Sequence, residues 1–80
     1  MKYAKLSQTT NTYQVEDGFE LIITRCANGA ELWLTHTSIG IAECLFGTGE
    51  PLTDEDMIDL FDANAEEYMT TFYILHDEDF

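Results

Sequence analysis

The amino-acid sequence predicts an α+β domain, a small antiparallel sheet of three to four strands packed against one C-terminal amphipathic helix, from three observations. Apolar and polar residues alternate from Phe19 to Thr24, Asn28-Gly29 follows as a hairpin dipeptide, and beyond Pro51 the apolar period becomes that of a helix. Strands first and a long helix afterwards is the order of an α+β architecture. A chain of 80 residues has room for one domain, residues 1–80, and its 45% apolar content is that of a globular protein.

Each element has a local reason. Tyr3 to Leu6 and Thr12 to Val15 are β-prone, and the polar SQTTN run between them suits a turn, as does Asp17-Gly18. Phe19, Leu21 and Ile23 then point one way while Glu20, Ile22 and Thr24 point the other. Asn28 and Gly29 tolerate the positive φ values of a type I′ turn. Centring the turn on them sets Ala27 opposite Ala30, Arg25 opposite Leu32, Ile23 opposite Leu34 and Leu21 opposite His36. Phe19, Leu21, Ile23, Leu32 and Leu34 thereby share a core face, and Ile22, Thr24, Trp33 and Thr35 take the other, with Glu20 and Glu31 near its ends. Residues 38 to 46 fit a further strand or irregular extended segment, ended by a loop of Gly47-Thr48-Gly49 and Pro51.

Thr53 is an N-cap followed by Asp54, Glu55 and Asp56, acids that the helix dipole favours in a first turn. Met57, Phe61, Ala65, Tyr68 and Phe72, widened by Ile58 and Met69, make an apolar stripe for one helix running to about residue 72. Opposite that stripe Glu55, Asp59, Asp62 and Glu66 form an acidic ridge, about 16 Å long at 1.5 Å per residue.

Sixteen Asp and Glu against three Lys and Arg give a formal net charge of -13. The three bases are Lys2, Lys5 and Arg25, so the chain from Cys26 to Phe80 holds no Lys or Arg. Such a balance disfavours direct contact with nucleic acid or an anionic membrane and favours a basic partner. Like charges at helical spacing cost about 0.2 to 0.5 kcal/mol per pair, and the dipole benefit fades after the first turn. Helix stability alone therefore does not explain Asp62, Glu66 or Glu67. A solvated acidic face is the plain explanation. The sharper one is that the carboxylates stand in for a phosphate backbone and occupy the basic groove of a nucleic-acid-binding protein. The expected partner-binding residues are Glu55, Asp59, Asp62, Glu66, Glu67, Asp77, Glu78 and Asp79, with Glu43 and Glu50 widening the surface. In size and charge, though in no motif, the chain resembles phage-encoded inhibitors of bacterial defence systems, including anti-CRISPR proteins.

Other chemistry has less support. Cys26, His36, Cys44 and His76 are enough donors for a tetrahedral zinc site, but their spacing is that of no compact zinc motif, and the alternative makes His36 a hairpin-end residue beside Leu21 and both cysteines small apolar packing residues. The acidic segment lacks the glycine and ligand rhythm of an EF-hand, and GTGEP has no following lysine for a phosphate loop. No enzymatic activity and no cofactor are expected. A homo-oligomeric module burying Trp33 and Tyr13 against a second copy is a further alternative, so monomer and homodimer both stand. No apolar run approaches a membrane span and no signal-peptide pattern opens the chain, so a cytoplasmic location with reduced cysteines is expected.

Overall fold

The alternating segments become the two central strands of a four-stranded antiparallel sheet in the order β1-β2-β3-β4. The computed structural model describes residues 9 to 27 and 29 to 80. The strands are β1 Thr9–Gln14, β2 Phe19–Cys26, β3 Gly29–His36 and β4 Ala42–Thr48, followed by helices α1 Asp54–Asp62 and α2 Ala65–Leu75 and a short 3₁₀ turn at Asp77–Asp79. The class is α+β, as the order of patterns predicts.

Phe19, Leu21 and Ile23 of β2 and Leu32 and Leu34 of β3 are all buried, and with Ala30 they meet Met57, Phe61 and Phe72 from the helices. The helices thus cover one face of the sheet. On the other, Ile22 pairs with Trp33 and Trp33 with Cys44, and Trp33 stays half-buried.

The central hairpin keeps its faces but not its register. Leu21 pairs with Leu34, Ile23 with Leu32, Arg25 with Ala30 and Cys26 with Gly29, so the strands reverse earlier than a turn centred on Asn28-Gly29 requires. A slip of two residues preserves which side chains face the core, because strand side chains alternate with period two. Gly29 is consumed by the ladder for a steric reason: at φ 144° a Cβ there would lie 2.0 Å from the Thr48 carbonyl oxygen of β4. Only glycine lets the two backbones come so close.

Two further expectations are corrected. Thr9, Thr10 and Asn11, placed in a turn by their polarity, pair with Arg25, Thr24 and Ile23, since a two-sided edge strand has no need of apolar alternation; the Tyr3 to Leu6 segment lies outside the described residues. Gly47 and Thr48, read as loop, extend β4 and pair with Glu31 and Ala30. Within β4, Phe46 faces Leu32 and Cys44 faces Trp33, leaving Leu45 as the extra residue of a bulge. Asp17-Gly18 does turn, with Asp17 at φ 60° and Gly18 at φ 85°.

The span read as one helix is two. Ala63 and Asn64 interrupt it, with Asn64 at φ -135° and its N–H donating to the Phe61 carbonyl. Asparagine competes poorly for helix interiors, and an unbroken helix would set Asp62 against Glu66 at i,i+4. The apolar stripe survives the break: Met57 and Phe61 are buried on α1, as is Phe72 on α2, with Ile58, Ala65, Tyr68 and Met69 packed around them.

The start of α1 is built as its sequence predicts. The Thr53 hydroxyl accepts from the Asp56 N–H and the Asp56 carboxylate accepts from the Thr53 N–H, a reciprocal capping box. Thr53→Ala is expected to cost about 1 kcal/mol, read as a lower urea midpoint at unchanged slope.

Candidate acidic interaction surface

Two groups of polar side chains hold the fold and leave the remaining acids to solvent. In the first, Asp54 opens α1 and accepts from four donors: Arg25 Nε at 2.8 Å and Nη2 at 2.6 Å on Oδ1, Asn11 Nδ2 at 2.8 Å and the Tyr13 hydroxyl on Oδ2. Arg25 also donates to the Leu52 carbonyl. The Tyr13 hydrogen bond, with those from Arg25 and Asn11, holds the Asp54 carboxyl below its ordinary value although partial burial pulls the other way. The same bond pushes the Tyr13 hydroxyl up. Tyr13 is therefore spent on the helix-bearing side of the sheet, not beside Trp33 on an oligomerisation surface.

The second group surrounds the two imidazoles. His36 is buried against Phe19 and Phe80, with Nε2 2.9 Å from the Asp17 carbonyl oxygen and Nδ1 accepting from the Ser38 N–H at 3.1 Å. Those partners fix its tautomer and clamp the Glu16–Gly18 turn. His76, at the end of α2, has Nε2 2.7 Å from Glu43 Oε1 and Nδ1 3.1 Å from Asp79 Oδ2. Both imidazoles are thus engaged with the protein, and among the described residues no three His, Cys, Asp or Glu side chains gather as a metal site. Cys26 and Cys44 are free and exposed, contrary to the expectation that they pack inside. Partial desolvation and the neighbouring Glu31 raise the Cys44 thiol above its ordinary value, which disfavours the thiolate.

With Arg25 paired to Asp54, no other Lys or Arg stands among the described residues, and Lys2 and Lys5 lie outside them. Glu55, Asp59, Asp62, Glu66, Glu67, Asp77, Glu78 and Asp79 are all exposed. Their arrangement differs from a single straight ridge. Glu55, Asp59 and Asp62 share a side of α1, but Glu66 belongs to the next helix, so the continuous line of about 16 Å expected of one helix is not formed. Instead Asp62, Glu66 and Glu67 border a shallow depression where the helices meet.

The break also redistributes the electrostatic argument. Glu66 and Glu67 now lie in the first turn of α2, where its dipole welcomes them. Asp59 and Asp62 fall at the negative end of α1, and Asp77 to Asp79 follow the negative end of α2, with no base in the last turn of either helix. Of these, Asp79 meets His76. The dipole opposes the others. Sequence reasoning missed this polarity because the stripe of apolar residues runs on through the break; the Ala63-Asn64 pair was the available signal.

No helix among the described residues is long and apolar enough to cross a membrane. No protein-family model matches the chain, and comparison with curated proteins and with solved structures finds no match.

Proposed function

We propose that the protein is an acidic interaction module that inhibits a nucleic-acid-binding protein by occupying its basic groove in place of DNA or RNA. The observation that carries this reading is the set of exposed acids at the carboxyl ends of both helices, Asp59 and Asp62 on one and Asp77 and Glu78 beyond the other, with no Lys or Arg in the last turn of either helix. Each costs the isolated domain a few tenths of a kcal/mol, and a cationic cleft returns that through charge-assisted hydrogen bonds. The net charge of -13 adds long-range steering toward such a cleft. The depression bordered by Asp62, Glu66 and Glu67 offers three carboxylates to one or two arginines. No catalytic group is needed, and inhibition of a defence nuclease, as by phage-encoded anti-CRISPR proteins, is a role this chemistry suits.

Charge reversal tests the surface. The triple variant Asp59→Lys, Asp62→Lys, Glu66→Lys should lose the bound partner by at least about a hundredfold in affinity, from two or more charge-assisted contacts. Its urea midpoint should stay equal or rise slightly, because repulsion is relieved. Full retention of the partner by the folded variant rejects these helices as the contact surface.

A further inference from the structure

The described part of β4 ends the sheet, so its outward backbone N–H and C=O groups have no strand partner among the described residues. Beside it runs a groove between β4 and α2, walled by Glu43, Cys44 and Leu45 on one side and by Glu67, Tyr68 and Leu75 on the other. Successive residues of a strand point to opposite faces, so three consecutive ones on a single wall mean that the groove follows the strand edge and not one face of the sheet. Its apolar part includes Leu75, which is 63% exposed at the end of α2. Its polar part is anionic, with Glu43 41% exposed despite its contact to His76, and Glu67 exposed on α2.

We infer that this groove binds an extended, basic peptide segment of a partner protein, which adds to β4 as a fifth strand. Main-chain hydrogen bonds to the β4 edge supply the register, and the side chains on the helix-facing side of the added strand, apolar and cationic in turn, reach Leu45, Tyr68 and Leu75 and the carboxylates of Glu43 and Glu67, which lie on that same side. A second copy of this chain fits worse on two counts. A charge of -13 on each copy opposes self-pairing, and the Leu45 bulge twists the edge away from a flat neighbouring sheet while a lone flexible strand can follow it. The inference is separate from nucleic-acid mimicry, since it needs the strand edge and shares only Glu67 with the acids assigned to that reading.

The probe is a synthetic peptide of repeated Lys-Lys-Val-Val, which sets lysine and valine in turn along each face of a strand, titrated into the isotopically labelled full chain while backbone amide signals are followed. Shifts confined to Glu43 through Gly47 and to the Glu67 to Leu75 flank of α2 are expected. Thr71 is exposed on the groove wall, so Thr71→Arg should fill it with a like charge and weaken the peptide at least about tenfold while the remaining amide spectrum is kept. The lysine-reversed helix variant should give the same map of shifts, even where its affinity is lower, which separates failure here from failure of the mimicry. Equal binding by a lysine-proline peptide of the same charge would show attraction without strand pairing and overturn the inference. So would shifts centred on β1 or Trp33, no shifts up to about 1 mM peptide, or a native dimer whose protected amides are those of β4.

Discussion

Phe61→Ala should abolish the cooperative unfolding transition at room temperature or leave only a remnant of it. The ring is fully buried in the last turn of α1, stacked on Tyr68 of α2 with centroids 5.7 Å apart and planes 11° from parallel. It therefore joins the helices across their break as well as joining them to the sheet. Truncating a buried phenylalanine costs about 3 to 5 kcal/mol. An 80-residue domain holds roughly 4 to 12 kcal/mol at 0.05 to 0.15 per residue, and unbalanced charge places this one toward the lower end. Phe61→Leu, which keeps most of the volume, should lose only about 1 to 2 kcal/mol. Denaturant melts of the two variants check the contrast; a small, equal shift in both would show that the helix junction is not the core of the fold.

Asp54→Ala should lower the melting temperature by roughly 10 °C, corresponding to a loss of about 2 kcal/mol for a partly exposed hydrogen-bonded charge pair. The carboxylate ties α1 to β1 through Asn11 and Tyr13 and to β2 through Arg25, and its removal leaves a guanidinium that is 28% exposed without its counter-charge. The pH dependence has a definite sign. Asp54 has a lowered value in the folded protein, led by the Tyr13 hydrogen bond, so its contribution is complete above the unfolded carboxyl value of about 3.9 and disappears as pH falls through the folded value. Wild type should thus lose this part of its stability only below about pH 4, and Asp54→Asn should lack that segment of the acid limb. An unchanged acid limb in Asp54→Asn would show that the cluster does not stabilise the fold.

The sheet was legible because its pattern has one period and one answer. Phe19, Leu21, Ile23, Leu32 and Leu34 could not all be buried in any other parity, and a two-residue slip at the turn left that parity intact. The actual register was not legible, since it depends on the approach of Thr48 to Gly29, a contact between residues far apart in sequence. Edge strand β1 was legible only in part, as Thr9 to Asn11 carry no alternation to read. The stripe from Met57 to Phe72 named its inward residues correctly yet concealed a break that exchanges no inward residue for an outward one. For the candidate surface, which acids are exposed could be read from sequence, but not that Asp54 is withdrawn from them by Arg25, nor that Asp59 and Asp62 sit at a helix carboxyl end. Those are facts of tertiary pairing and helix termination.

The most direct test of the acidic surface is competition at the captured partner. The partner's affinity for its own DNA or RNA should be measured with and without this protein over a range of salt. Displacement of the nucleic acid is expected, with the affinity of the protein for its partner falling steadily as salt rises. A stable complex that still holds its nucleic acid, or binding indifferent to salt, would contradict the account.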